Sequence, residues 1–500
     1  MVKKLLCATR FGVGAKIIEV ESIFQRGLPS FIITGLAGNS IQEAKQRVSG
    51  ALANSNFESP NFKITINLSP SDIAKNGSHF DLPIALLVAL YRVMDIDLSN
   101  WFAFGELGLD STIKDSPIIY PLLLEVANMY PNSNVLLPKS GERLYSNVPN
   151  LNIYFANNLN EALDLIKNPQ NKSKKYDFDF KYLQIDSKKY YYDECFKLDF
   201  YDVIGQVFAK RAALIAAVGM HNIIFDGSPG CGKSMIAKRM QYILPPISFD
   251  EMCECVKMNA LNNKDSAYSP IRPFRNPHQS SSKASILGSI MQNEARPGEI
   301  SLSHNGILFF DELPNFHKSI LESLREPLEN NELSISRVNL KFTYPSSILF
   351  IGAMNPCPCG NLYSVTKECR CKDSEIKSYR NKLSEPFLDR IDLFVKMEET
   401  KNSDRIHSKD LFDIVLNAFK MQKERGQLRL NGKLNDDEIE KFCILDDGTK
   451  DLLNQAIHRF ALSHRGRVKV IKVSRSIADM DKSEIIKRNH LLEALSFRAL

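Results

Sequence analysis

Residues 227–234 read GSPGCGKS, and residues 307–312 read ILFFDE. The first run fits G-x-x-x-x-G-K-[ST], a loop that works only between a strand and a helix, because its glycines turn successive backbone N–H groups toward a polyphosphate. The flanks agree: HNIIFD before it is a short apolar run suited to a strand, and MIAKRM after it is helix-competent. Gly227, Ser228, Pro229, Gly230, Cys231 and Gly232 then form the cradle, Lys233 reaches the outer phosphates, and Ser234 holds Mg²⁺. In ILFFDE, four apolar residues make a buried strand whose carboxylates emerge at its C-terminal end, where open α/β sheets bind ligands. Asp311 would complete the Mg²⁺ shell, and Glu312 would orient and polarise the attacking water, since phosphoryl transfer depends on positioning and charge neutralisation. The alternative for the acidic pair is a helix start whose charge only caps the residues from Leu313 onward. Together the two motifs imply a parallel α/β core and an NTP-driven machine.

A chain of 500 residues exceeds one hydrophobic core, so about two to four domains are expected. No apolar run approaches the roughly eighteen residues of a membrane span, and the opening MVKKLLCATRFGVGAK lacks a long apolar stretch and a cleavage site. A cytoplasmic protein is the expectation, and its ten cysteines should be reduced thiols or metal ligands rather than a disulfide framework. The net charge of +6 is uneven: residues 461–500 carry nine Lys or Arg against four Asp or Glu, which suits either a nucleic-acid contact or a solvated helix face.

Composition divides the chain into a first segment at 1–167, a polar, Lys- and Tyr-rich linker at 168–194, a motor at 195–400, and largely helical sequence at 401–500. No internal repeat of fixed period is present.

The motor stretches DVIGQVFAKRAALIAAVGMHNIIFDGSPGCGKS, RPGEISLSHNGILFFDELPNF, AMNPCPCG and LSEPFLDRIDL resemble the Mg-chelatase-like AAA+ ATPases, and within them the ComM/YifB branch. The likeness extends to GLPSFIITGLAGNSIQEAKQRVSGALANS and ITINLSPSDIAKNGSHFDLPIAL, which are similar to that branch's Lon-protease-like domain. The resemblance implies a multidomain α/β protein with a Lon-protease-like α+β N-terminal domain, a P-loop AAA+ core with a parallel sheet, and a helical C-terminal lid. It further implies a homo-hexamer using ATP and Mg²⁺. By the same resemblance, Asn355 is the water-orienting sensor and Arg390 in LDRID is the arginine finger given to a neighbouring site, with a salt bridge to Asp389 or Asp392 as the alternative. Arg465 in LSHRGR resembles the second sensor on the lid, contacting the γ-phosphate, with Arg467 and Arg475 as competitors, and residues 202–206 (DVIGQ) would lie against the adenine.

Residues 331–345 (NELSISRVNLKFTYP) alternate as a hairpin around Val338 and Asn339. Arg337 and Lys341 on it are candidates for contacting DNA phosphates, or are ordinary edge-strand charges, and the basic residues of 272–283 (RPFRNPHQSSSK) are a similar candidate. In that insert the family's paired histidines are reduced here to His278-Gln279. Cys357, Cys359, Cys369 and Cys371 form C-x-C-x₉-C-x-C, a spacing that leaves Zn²⁺ and reduced structural thiols both open, whereas Cys253 and Cys255 read as packing residues on a helix. In the N-terminal segment Ser78 is followed by bulky His79 and Phe80, and Lys114 is not where a Lon-type base would stand, so proteolysis is not expected. By its resemblance to the ComM/YifB branch, the chain is expected to be an ATPase coupled to DNA translocation, a helicase promoting branch migration in natural transformation and recombination. The alternative is a remodeller or chelatase-like subunit acting on a polypeptide, which an aromatic-rich hairpin (Phe342, Tyr344) would favour.

Overall fold

The P-loop strand Ile223–Gly227 lies inside a five-stranded sheet with the order Phe274–Arg275, Ile307–Phe310, Leu349–Met354, Ile223–Gly227, Leu393–Met397. The computed structural model describes residues 2–57, 62–93, 96–169, 172–264, 266–291, 294–337, 340–398, 403–460 and 462–498. Every pairing in the five-stranded sheet is parallel. Parallel strands are covered on both faces by their crossovers, so they read as unbroken apolar runs. All of Ile307–Phe310 and Leu349–Met354 are buried accordingly. The registers Ile223↔Ile351 and Ile307↔Leu349 bring the strand ends level, so the P-loop, Asp311 with Glu312, and Asn355 leave the same sheet edge.

The N-terminal part forms its own seven-stranded mixed sheet, in the order Ser30–Thr34, Lys63–Ser69, Gly14–Gln25, Lys3–Phe11, Trp101–Ala103, Asn134–Pro138, Asn152–Ala156. Helix Asn39–Asn54 covers it with a stripe of Ile41, Ala44, Val48, Ala51 and Leu52, spaced three and four apart.

Within residues 168–194, expected to be a linker, Lys181–Ile185 and Lys188–Tyr192 form a hairpin, and its second strand pairs with Ile247–Ser248. Its turn is two residues long, with Asp186 in the left-handed region at φ 53°, as a tight hairpin requires. The polar composition concealed the strands because their apolar surface is tyrosine: the Tyr191 ring packs against Phe178 and Phe180.

The C-terminal region is helical, as expected, with helices Ser408–Glu424, Asp436–Phe442, Asp447–Phe460, His464–Met480 and Arg488–Ser496. Leu411, Val415, Ile471 and Ile477 share one core with Ile223, Phe225 and Leu393, and helix His464–Met480 docks at the opposite, N-terminal end of the sheet. There the buried Asp392 carboxylate accepts from the Asn222 N–H at 2.7 Å and pairs with Lys469 at 3.3 Å. His221 bonds Ser476 at 2.7 Å, and Arg498 donates to the Ile391 carbonyl at 3.2 Å. Part of the basic excess of residues 461–500 is thus turned inward, with Arg475 fully buried on Asp479. Among the described residues, no helix is long and apolar enough to cross a membrane.

Arg272, the first basic residue of the candidate DNA-contacting insert, is buried. Its guanidinium donates to the carbonyls of Pro245, Pro246 and Asn305, each at 2.8 Å, and to Glu251 at 3.0 Å. A cation whose donors are already engaged inside the protein has none left for phosphate, so Arg272 is a structural residue and the exposed charges of the insert reduce to residues such as Lys283. Removing one partner of a buried, hydrogen-bonded ion pair costs about 3–5 kcal/mol. Arg272→Ala should therefore lower the thermal unfolding midpoint markedly, while Lys283→Ala leaves it near the wild-type value in the same scan.

Candidate functional site

Glycine at two positions lets the P-loop take its shape. Gly230 and Gly232 have φ of 85° and 95°, and a Cβ added at either would meet nothing within 4 Å, so the loop is an open cradle rather than a packed turn. The Lys233 ammonium folds over it, donating to the carbonyls of Gly227 and Ser228, the latter at 3.0 Å, and to Asn355 Oδ1 at 3.1 Å. Burial pushes the Lys233 pKa down from its ordinary value. Asn355 therefore joins the P-loop lysine directly, although 122 residues separate them in sequence.

Ser234 Oγ donates to Asp311 Oδ2 at 2.8 Å, so the hydroxyl and the carboxylate expected to share Mg²⁺ already face each other. Together with the open cradle, this donor set fits a metal-bound nucleotide: Lys233 and the loop amides for phosphate, Ser234 and Asp311 for Mg²⁺. Mg²⁺ held there would neutralise phosphate charge. Glu312 is exposed and has φ 53°, a left-handed conformation unusual for a side-chain-bearing residue and typical of functional positions. It makes no side-chain capping bond to the backbone of Leu313–Asn315, and its Oε2 accepts from the Asn315 side-chain amide at 3.1 Å, while Asp311 Oδ1 accepts from the Glu312 N–H at 3.0 Å. The DVIGQ segment lies against this assembly through Asp202, which the P-loop helix residue Arg239 holds at 2.6 Å.

Arg390 and Arg465 are elsewhere. Ile223↔Leu393 is the first register pair of the P-loop strand with its neighbour, so Arg390 stands just before the sheet's N-terminal end while the P-loop leaves the C-terminal end. Arg390 pairs with neither Asp389 nor Asp392 but with Glu329 and the Pro386 carbonyl. Arg465 bonds the other oxygen of Glu329 at 2.5 Å, so it does not reach this chain's own P-loop, as the lid reading required. Both line a cleft of about 390 Å³ with His464, Lys469 and Lys472. Of the competitors for Arg465, Arg467 is exposed and Arg475 is buried. Glu329, in the short helix Arg325–Asn330, belongs to no recognisable motif, and nothing in the sequence marked it.

The hairpin Glu332–Arg337/Leu340–Pro345 is present, with Arg337↔Leu340 as its last described pair. Val338, Asn339 and the Arg337 side chain lie outside the described residues. Lys341 is exposed, whereas Phe342 stacks edge-on against Phe11 of the N-terminal sheet and Tyr344 is fully buried. Arg10 extends the same junction, donating to the Ala295 carbonyl on the adjacent hairpin.

Cys357, Cys359, Cys369 and Cys371 converge, with all four sulfurs within 4.8 Å of one another, a set able to hold a metal ion. The Asn361 and Arg370 N–H groups point at Cys359 and bring its thiol down to about 6. Cys253 and Cys255 sit on helix Phe249–Leu261, as expected of packing residues. In the N-terminal part Ser78 donates to the Glu106 carboxylate rather than to an amine, and buried His79 bonds the Ala8 carbonyl at 2.9 Å, its pKa pushed by burial to about 4.

A parallel sheet of this order, with a P-loop, an acidic pair and the lysine-bonded Asn355 on one edge, defines an AAA+ nucleotide-binding protein. Three family descriptions match in succession: Subunit ChlI of Mg-chelatase over residues 20–141, Magnesium chelatase, subunit ChlI over 199–405, and Magnesium chelatase, subunit ChlI C-terminal over 405–498. The chain is 35% identical over 500 residues to competence protein ComM of Haemophilus influenzae, covering 98% of this chain and 96% of that protein. It is 35% identical over 504 residues to YifB of Escherichia coli, covering 98% and 95%. The magnesium-chelatase 67 kDa subunit of Heliobacterium mobile is 24% identical over 183 residues, 31% of this chain and 27% of that one. The chain belongs to the ComM/YifB type of Mg-chelatase-like proteins.

The Ser234–Asp311 pair sets a measurable expectation. A fluorescent ATP analogue should bind the wild type more tightly with Mg²⁺ than with chelator, and Ser234→Ala should lose most of that difference while keeping its metal-free affinity. A full Mg²⁺ effect in the variant would remove Ser234 from the metal shell.

Proposed function

We propose that this chain is the subunit of a hexameric, DNA-translocating ATPase that promotes branch migration in natural transformation and recombination. The observation that carries the reading is the division of the site between two ends of one sheet. Lys233, Ser234, Asp311, Glu312 and Asn355 occupy one edge, and Arg390 and Arg465 stand together at the other. At about 3.3 Å per residue, the five-residue P-loop strand alone separates them by roughly 16 Å, too far for either arginine to serve its own nucleotide. A ring brings them to the next subunit's site instead.

In that site the Lys233 ammonium exchanges its carbonyl partners for phosphate oxygens, with Asn355 still bonded to it. Glu312 orients a water and accepts its proton, and the Arg390 guanidinium of the neighbouring subunit stabilises charge spreading over the transferred group. Arg465 enters the same site with it, because Glu329 joins the two.

DNA as the track is supported by the similarity to a competence protein and by Lys341, an exposed cation on the hairpin. Phe342 and Tyr344, whose aromatic rings would have favoured grip on a polypeptide, are engaged with the N-terminal sheet and the interior. The N-terminal part is read as a Lon-like, non-proteolytic collar on a cytoplasmic ring.

ATP turnover should rise several-fold with DNA, most for a four-way junction, and the stimulation should weaken with salt. Intact basal hydrolysis with no response to any DNA would shift the reading to remodelling of a protein. Glu312→Gln should retain ATP and stabilise the oligomer without turnover, and wild-type turnover in it would remove Glu312 as the base. Arg390→Ala should be inactive alone yet recover activity when mixed with Lys233→Ala subunits, because each supplies what the other lacks. Absence of recovery across the whole mixing series would count against a finger acting between subunits.

A further inference from the structure

We infer that Cys357, Cys359, Cys369 and Cys371 form a structural tetrathiolate zinc site that clamps the loop after Asn355 onto the P-loop. The sulfurs of Cys357 and Cys359 are 3.4 Å apart, and Cys369 lies 3.7 Å from each. Tetrahedral zinc with Zn–S bonds of about 2.3 Å places its ligands about 3.8 Å from one another, so this triangle is already close to one face of the coordination polyhedron. Cys371 falls within the same 4.8 Å set and supplies the fourth corner. The short C-x-C spacing of the first pair is accommodated by a tight turn rather than an extended strand: the Gly360 N–H bonds the Cys357 carbonyl at 3.0 Å, and Gly360 has φ 78°. Four soft thiolates converging from one loop select zinc over the hard, oxygen-seeking cations used with phosphate. Loading the site expels the remaining thiol protons to solvent and leaves the metal's oxidation state unchanged.

The site's position gives it a consequence beyond local stability. It begins two residues after Asn355, and a Cβ on Gly360 would lie 2.7 Å from the Pro229 ring of the P-loop. The same loop carries Tyr363, whose hydroxyl donates to Asp226 at 3.4 Å, and Asp226 is the penultimate residue of the P-loop strand. Arg380 closes the group, bonding the Tyr363 hydroxyl at 2.6 Å and Asp226 at 3.5 Å. A loop of this length has few apolar residues to hold it. The metal replaces the missing core, and the fixed loop then fixes Asn355 against Lys233. This last step rests on the nucleotide site proposed above, whereas the metal site does not.

The test uses the full chain purified without chelator, under reductant, from zinc-supplemented cells. Elemental analysis should find one zinc per chain, and the cobalt(II)-substituted protein should show intense visible bands of tetrahedral thiolate coordination. Cys371→Ser should lose the metal, and Cys371→His, which restores a zinc ligand, should regain it. Substoichiometric metal with freely reactive thiols, or cobalt spectra lacking thiolate charge transfer, would overturn the site. The metal-free Cys371→Ser protein should bind a fluorescent ATP analogue several-fold more weakly than the wild type, and zinc-loaded Cys371→His should regain the affinity. Unchanged nucleotide affinity in the metal-free protein would overturn the clamp, and neither readout depends on hydrolysis or on DNA.

Discussion

One buried carboxylate organises this molecule. Asp392 lies at the N-terminal end of the motor sheet, holding the Asn222 backbone on one side and Lys469 of helix His464–Met480 on the other. Burial alone would favour its neutral form, but the Lys469 charge, His221 and the Asn222 N–H bring its pKa below the ordinary carboxylate range. Lys433, pushed down by burial to about 8, completes the cluster by donating to the Ile348 carbonyl at 2.6 Å. An anion so placed is strongly destabilising unless its cations stay, so helix His464–Met480 is fixed to this end of the sheet. Everything that follows from Arg390, two residues before Asp392, and from Arg465, four residues before Lys469, depends on that docking.

The N-terminal sheet is attached to the motor through a different kind of contact. Gly12 has φ 62°, and a Cβ there would lie 2.2 Å from the Phe342 ring, so the backbone of one part and a side chain of the other occupy a space that only glycine permits. Because Phe342 is on the same hairpin as Lys341, a displacement of that hairpin is transmitted directly to strand Lys3–Phe11. The N-terminal sheet and the hairpin are therefore packed together through Phe342.

How much of this was legible in the sequence depended on whether the controlling interaction is local. The P-loop and the ILFFDE strand are contiguous motifs, and the parallel registers bring Lys233, Ser234, Asp311 and Asn355 together as their residue types require. The hairpin at 331–345 was likewise visible from its alternation. The tyrosine-faced hairpin at 181–192 was not, because tyrosine and lysine score as polar although the rings pack. Arg272 read as a surface charge because its carbonyl partners, up to 33 residues away, leave no trace in local pattern. Glu329 was invisible for the same reason: a lone carboxylate acquires meaning only when two arginines from distant segments reach it. The helical region was correctly seen as helical, but the end of the sheet it covers is decided by Asp392, which periodicity does not encode.

Glu329 also sets which of its two arginines is easier to move. Arg465 is 54% exposed at its ion pair, and a pair in that position is worth about 0–1 kcal/mol after solvent screening. Exchanging Glu329 for a phosphate oxygen therefore costs Arg465 almost nothing. Arg390 is only 8% exposed and is also tied to the Pro386 carbonyl, while its Nε has no hydrogen-bond partner among the described residues. It is held more firmly, yet one donor remains unsatisfied, and a buried unpaired donor is itself destabilising. In the proposed ring, an incoming phosphate would draw Arg465 first and leave Glu329 with one arginine instead of two. The remaining pair would keep Arg390 oriented at the subunit boundary until the transferred group offers it a second partner.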